Sequence, residues 1–228
     1  MVIATVDIAD LGVGSTLRSM RQRPPSAAVP GLRWLDTAVA VPLASTRPPT
    51  FRRAAMIAFW DDEAAAAAFM RDHPLGQRFA ASGFHAVVRP VRAFGTWPGL
   101  PDDIPRARAT SHEGPVLVTT LGKLRMSHVV RFMRASRPAE RAALAADGFV
   151  WGTAATRPAG RRPPLMATIS LWESADAAAA YAYSDPTAGH PRALTEQRRK
   201  DFHHESAFIR HAPLTMTGSV RGMPSITA

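Results

Sequence analysis

The chain has 228 residues, and 46% of them are hydrophobic, which is enough for the core of one domain or of two small ones. It contains no cysteine, which excludes disulfides, thiolate metal sites, iron–sulfur clusters and cysteine nucleophiles. The formal charge of +10 comes from scattered arginines in which we find no basic helix or aromatic–basic array, so we do not expect nucleic-acid binding.

The N-terminal segment MVIATVDIADLGVG predicts a strand rather than a signal peptide. Asp7 and Asp10 interrupt its apolar run, and no basic residue precedes it. No apolar run in the sequence approaches the length of a membrane span. We therefore expect a cytoplasmic protein and leave peripheral association with a membrane open.

Each half of the sequence predicts the element order β-α-β-β-α-β. The opening strands MVIATVDIADLG and PVLVTTLGKL lead into STLRSMRQR and MSHVVRFMRASR, whose apolar residues have helical spacing. After a break that contains proline, Trp34 or Trp151 starts a second strand, and AAMIAFW or LMATISLW forms a third. Asp61 or Ser174 is placed to cap the next helix, and FHAVVRPVRAF or HESAFIRHA closes the unit.

Blocks of sequence recur in the same order in the two halves, which predicts a tandem duplication. The matched blocks share features such as Met-Arg, a Trp followed by an acidic residue, and Phe-His. They pair 19–24 with 132–138, 31–34 with 148–151, 56–69 with 167–181, and 83–94 with 201–212.

The repeated unit is the ferredoxin-like split βαβ motif, in which one sheet face stays uncovered by the unit's own helices. Two units should therefore pack sheet to sheet with their helices outside. We predict an α+β fold of tandem duplicated ferredoxin-like repeats that form a dimeric α+β barrel within one chain, with a ligand in the apolar space between the sheets. The expected boundaries are 1–100 for the first repeat, 101–115 for a linker, 116–220 for the second repeat and 221–228 for a tail.

Several segments of the second half resemble the spheroidene monooxygenase family of carotenoid oxygenases. They are LWESADAAAAYAYSDPTAGHPRAL and FHHESAFIRHAP, preceded by RFMRASRP and FVWGTAATRP; the resemblance is strongest over 116–213 and includes FGTWPGLP at 94–101. It implies a monooxygenase that depends on heme b and oxidises a hydrophobic small molecule, which is carotenoid-like or another secondary metabolite. A ferredoxin-like or other reductase as electron donor, and a homodimer, stay open.

Histidine is the expected iron ligand, because heme b needs a neutral imidazole and cysteine is absent. His190 matches the position of the axial histidine in related heme-binding barrels of the antibiotic-monooxygenase type, so we predict it as the metal ligand. His73 in the first half also precedes a proline, and proline is common at the first position of a helix, directly after the capping residue. A role as a helix cap therefore stays open for His190 and is favoured for His73. His203 and His204 are alternative ligands.

The closing strand of the second half supplies the other predicted site residues. In a regular strand His204, Phe208 and Arg210 share one face, and His203 and Glu205 share the other. We predict Arg210 and His204 as distal or propionate partners, Phe208 as cleft wall, His203 as a cofactor contact, and Glu205 as a group that orients His203 or delivers protons. A polar strand start without function is the alternative.

Three other functions are compatible with the same barrel. They are a cofactor-free monooxygenase of the antibiotic-biosynthesis type, a heme-binding dehydratase, and a non-catalytic carrier of heme or another apolar ligand.

Overall fold

The elements of the first half follow the predicted order, with one helix more. The computed structural model describes residues 1–107, 112–160, 163–183 and 203–224. The elements of the first half are β1 (Ile3–Asp10), α1 (Gly12–Arg21), β2 (Leu32–Pro42), β3 (Arg53–Trp60), α2 (Glu63–Asp72), α3 (Pro74–Ala80) and β4 (Phe84–Gly95).

The described elements of the second half repeat this order. The additional helix of the first half, α3, follows α2 directly after His73. The elements of the second half are β5 (Val116–Leu124), α4 (Val129–Leu144), β6 (Phe149–Arg157), β7 (Leu165–Trp172), α5 (Ala175–Tyr183) and β8 (His203–Gly218).

The strands close into one barrel in the order β1-β3-β2-β6-β7-β5-β8-β4. Every neighbouring pair is antiparallel, and each half contributes a contiguous set of strands in the ferredoxin-like order. The two halves join at β2–β6 and at β4–β8, where the register runs from Phe84 opposite Gly218 to Gly95 opposite Ala207. The prediction of an α+β barrel is confirmed.

Apolar side chains from both halves fill the inside of the barrel. Examples are Val6 and Phe84 from the first half and Leu121, Ile169 and Ile209 from the second, all buried in one cluster. The space between the sheets is therefore packed core, and the expectation that a ligand lies there is wrong for the described residues.

The segment after β4 packs against the end of this core. Trp97 meets Trp34 edge to face, with 5.3 Å between the ring centroids. Leu100 and Ile104 are partly buried against the same cluster. The end of the expected first repeat and the start of the expected linker therefore cover one end of the barrel.

Two helix boundaries differ from the sequence prediction. Helix α2 is capped by Asp62, whose Oδ1 accepts from the Ala65 amide at 2.9 Å, and not by Asp61. Ser174 caps α5 as predicted, because its Oγ accepts from the Ala177 amide at 3.0 Å. Helix α4 continues through Pro138 to Leu144 instead of ending before the proline.

The continuation of α4 past Pro138 has a packing reason. Proline removes one backbone hydrogen bond from a helix interior. Ala139 and Ala143 lie one turn apart and are both buried, so the second part of the helix packs closely. None of the helices in the described ranges is long and apolar enough to span a membrane.

Candidate active site

A cavity of about 600 Å³ lies on the outer face of the second half's sheet, beneath α4 and α5. Its volume falls within the range of sites for cofactors and small ligands. The lining is mostly apolar or aromatic. The walls include Val118, Thr120, Gly122, Met166, Thr168 and Ser170 from the strands, and Phe132, Ser136, Ala139, Ala143, Ala178 and Tyr181 from the helices.

The corresponding face of the first half is filled by α3. Leu75 and Phe79 of this helix are buried in one cluster with Trp60 and Phe69. The His73 side chain caps α3, because its Nδ1 accepts from the Leu75 amide at 3.1 Å. Burial lowers the pKa of His73, which keeps the ring neutral as an acceptor. The helix-cap prediction for His73 is confirmed.

His190, the predicted iron ligand, lies outside the described residues. It belongs to the segment 184–202 between α5 and β8. Its assignment therefore stays a prediction.

A β-bulge at the start of β8 decides which histidine lines the cavity. Lys123 of β5 pairs with Glu205, but the next residue, Leu124, pairs with His203, so His204 is the extra residue. A bulge of this kind breaks the alternation of faces in a strand. His203 is buried and lines the cavity, whereas His204 is exposed. The prediction that His204 shares a face with Phe208 and Arg210 is wrong.

Gly122 makes room for the imidazole of His203. A Cβ atom at Gly122 would lie 2.5 Å from Cδ2 and 2.6 Å from Nε2 of that ring. Phe132 of α4 packs against the ring edge to face, with 5.2 Å between centroids. The ring is thus held between the sheet and α4.

Glu205 lies on the opposite side of the sheet from the cavity. Its Oε2 is 2.5 Å from Nζ of Lys123, its neighbour across the strand pair. The ammonium group of Lys123 also lies over the Trp97 ring, 5.2 Å from its centroid. Glu205 therefore belongs to a charged cluster at the end of the barrel, and the predicted sharing of a face with His203 is wrong.

Arg210 lines the cavity, as does Arg92, its cross-strand partner at the β4–β8 seam. Their exposures are only 5% and 6%. Arg92 donates from Nε to the Ala107 carbonyl at 2.7 Å and from one terminal nitrogen to the Tyr183 hydroxyl at 3.2 Å. Burial and the positive charge of Arg92 lower the pKa of Arg210. Two adjacent guanidinium groups suit a carboxylate, which accepts charge-assisted hydrogen bonds from both.

Phe208 lines the cavity as predicted. It pairs with Thr120 on one side and with Phe94 on the other. Phe94 is 52% exposed and lies at the rim of the cavity.

Glu140 is a lining residue that the sequence prediction missed. Its Oε2 accepts from the Ala44 amide at 2.6 Å, which ties α4 to the loop after β2 of the first half. Burial raises the pKa of Glu140. Phe132, Ser136 and Glu140 have helical spacing, so the pattern becomes visible once the helix is allowed to pass Pro138.

His211, the third histidine of the closing strand, lies inside the barrel. It is fully buried, and its Nε2 is 2.9 Å from Oγ1 of Thr119. Burial lowers its pKa to about 3, so the ring is neutral. Across the described ranges, no group of three or more His, Asp or Glu side chains could hold a metal ion.

The fold is shared with solved enzymes of low sequence identity. An aldoxime dehydratase structure matches with a TM-score of 0.51 at 12% identity, over 93% of this chain and 81% of that chain. A second aldoxime dehydratase structure, in complex with butyraldoxime, matches with a TM-score of 0.54 at 10% identity, over 93% of this chain and 79% of that chain. These similarities place the barrel in a known fold class.

Sequence comparison finds a matching family model and a related enzyme. Residues 119–212 match a family described as a domain of unknown function, DUF3291. Spheroidene monooxygenase of Rubrivivax gelatinosus is 31% identical over 178 residues, which are 76% of this chain. The chain is a relative of spheroidene monooxygenase, as its sequence motifs predict. It spans 65% of the length of that relative.

Proposed function

We propose that the chain is a heme-dependent monooxygenase that oxidises a hydrophobic small molecule, carotenoid-like or another secondary metabolite. The relation to spheroidene monooxygenase supports an oxidoreductase. The observation that carries the proposal is the cavity, whose apolar walls bear an imidazole and two buried guanidinium groups.

The cavity residues fit heme b. His203 offers an imidazole at the wall, and we propose it as the alternative to His190 for holding the heme iron. Arg92 and Arg210 suit the two propionates, whose charge would offset the repulsion between the buried guanidinium groups. Phe208 offers an aromatic wall to the porphyrin.

When bound, heme supplies the iron centre at which an oxidant is activated. The residues of the chain bind and orient the cofactor and substrate and keep water out through apolar walls such as Val118 and Met166. Glu140 can hold a proton on its carboxyl oxygens inside the cavity, because burial raises its pKa. A ferredoxin-like or other reductase is the proposed electron donor.

Catalytic roles for His204 and Glu205 stay predictions that the cavity does not support. Neither side chain lines it, because His204 is exposed and Glu205 pairs with Lys123. Within β8 the proposed site is carried by His203, Phe208 and Arg210.

The activity is tested with the heme-loaded protein, a chemical reductant and a carotenoid under ¹⁸O₂. We expect one labelled oxygen atom in the product. A product without label would favour a dehydratase, and intact heme binding with no oxygen use under any reductant would favour a carrier.

The axial ligand is tested by three matched substitutions to alanine. His190→Ala should remove or shift the Soret band of the heme-loaded protein, whereas His73→Ala, at the first-half counterpart, should not. Loss of the Soret band only in His203→Ala would indicate that His203 of β8 is the iron ligand. That result would contradict the assignment of His190.

We also propose that the two halves arose by duplication, with repeats at 1–100 and 116–220. The matching order of the other described elements, α3 apart, and the ferredoxin-like strand order of each half support this origin. In this view the first half lost its cavity to α3, and the second half kept it.

A further inference from the structure

The outer face of α4 combines exposed apolar and basic side chains. Val130 is 74% exposed and Met126, just before the helix, is 63% exposed. They lie on the side of the helix opposite to Phe132 and Ala139, which line the cavity. We call this surface the α4 outer face, and it consists of Met126, Val130, Met133, Arg134, Arg141 and Leu144.

The charged side chains of the α4 outer face are all basic. Arg134 and Arg141 are exposed, and Arg131 is exposed at its flank. Glu140, the acidic residue of α4, points instead into the cavity and engages Ala44. The sequence showed scattered arginines, and it is the length of α4 through Pro138 that aligns them on one surface.

We propose that the α4 outer face docks on the surface of an anionic phospholipid bilayer. Basic side chains are attracted to anionic lipid headgroups, and exposed apolar side chains on the same helix face enter the interfacial region. The α4 outer face has both kinds of side chain, because it combines arginine with exposed valine, methionine and leucine. The proposal concerns binding and does not depend on heme.

The position of the face relative to the cavity favours a bilayer over a protein partner. The same helix carries the docking residues on one side and the cavity wall on the other. Phe94, at the cavity rim, is 52% exposed and lies on β4 near the barrel end at which α4 begins. The docking proposal rests on the proposed function in one respect only. An apolar substrate dissolved in the lipid would reach the cavity over a short path.

The test is co-sedimentation with vesicles made of phosphatidylcholine alone or of equal parts phosphatidylcholine and phosphatidylglycerol. We expect the protein to bind the anionic vesicles, to bind the neutral ones weakly, and to be released at high salt. The variant Val130→Asp/Arg134→Glu/Arg141→Glu should reduce the binding by at least about tenfold.

The matched control is Val13→Asp/Arg18→Glu/Arg21→Glu on α1. It makes the same change of charge and polarity on the counterpart helix, where these residues are also exposed. The control should bind like the unsubstituted protein, and circular dichroism should show both variants folded.

Three outcomes would overturn the proposal. They are no binding to anionic vesicles, equal loss of binding in the α1 and α4 variants, and a dimer in solution that the α4 variant alone dissociates. The last result would assign the face to a second copy of the chain. Because the assay involves neither heme nor turnover, its failure is distinct from failure of the proposed monooxygenase function.

Discussion

The paired arginines are the most unusual feature at the scale of single residues. Arg92 and Arg210 are buried cross-strand neighbours, and like charges in that position destabilise a sheet. Both side chains line the wall of an apolar cavity, where an anionic ligand would offset the repulsion between the two guanidinium groups. The repeat alignment of 83–94 with 201–212 matches Arg92 with Arg210, but only the antiparallel pairing of β4 with β8 makes them neighbours.

We predict that Arg92→Gln and Arg210→Gln each weaken heme binding by about tenfold or more, since each removes a charge-assisted hydrogen bond to a propionate. Affinity for the heme dimethyl ester, which lacks the propionate charges, should change little. Titrations followed by absorbance compare the two ligands.

Arg89→Gln is the control for this prediction, because Arg89 lies on the same strand and is exposed. Equal losses of affinity for heme and for its ester would contradict a propionate contact. They would indicate a general effect on the cavity.

At the scale of elements, α4 connects the two halves through Glu140. Its carboxylate is partly buried and accepts from the Ala44 amide, beside Leu43, which lines the cavity. Because burial raises the pKa of Glu140, the folded chain holds this proton more tightly than the unfolded chain. Its contribution to stability is therefore present below the ordinary glutamate pKa and is lost as the pH rises through the folded value.

We predict that Glu140→Gln keeps the hydrogen bond to Ala44 and removes the cost of the buried charge. The free energy of unfolding at pH 7 should equal or exceed that of the unsubstituted chain, with a flatter dependence on pH above about 4.5. Urea unfolding across this range measures both.

Glu63→Gln serves as the control, because Glu63 is exposed in the first turn of α2. Its pH profile should match that of the unsubstituted chain. A Glu140→Gln variant that is less stable at pH 7 would show that the negative charge itself stabilises the tie between α4 and the loop.

Gly31 and Gly148 hold matched turns at the starts of β2 and β6. Both have positive φ, at 71° and 73°, and a Cβ atom would lie 2.4 Å from Cβ of Ala65 or 2.6 Å from Cβ of Ala177. Each glycine thus allows the strand to pass directly against a helix. Substitution by alanine adds both backbone strain and a steric overlap.

We predict that Gly31→Ala and Gly148→Ala each lower the free energy of unfolding by about 2 kcal/mol or more. Gly14→Ala is the control, because its Cβ would meet nothing within 4 Å and Gly14 lies in α1. Alanine there should leave stability unchanged or raise it slightly. A loss below 0.5 kcal/mol at Gly148, which is about the effect of an ordinary surface substitution, would contradict the close approach.

At the scale of the whole molecule, sequence periodicity predicts the strands, the helices other than α3, and their order, because each depends on local pattern. The positions of His73 and Ser174 as caps also follow from local chemistry. The bulge at His204 depends on how β8 pairs with β5, and no local pattern reveals it. The cavity was expected inside the barrel and lies outside it, because the repeated sequences do not show that side chains fill the interior.

The two halves differ in what covers their outer faces. In the first, α3 seals the sheet with Leu75 and Phe79, and the counterpart of His203, His85, lies with its Nδ1 3.1 Å from Oδ1 of Asp7. In the second, an apolar cavity occupies the same face. This asymmetry supports our proposal that the second half binds the ligand.

Titration of the purified protein with hemin, followed in the Soret region, tests this account most directly. We predict a saturable Soret band with one heme per chain, abolished by Thr120→Trp, which fills the cavity, and retained in Arg89→Gln. No Soret band, or a band that Thr120→Trp leaves unchanged, would contradict the claim that this cavity binds heme.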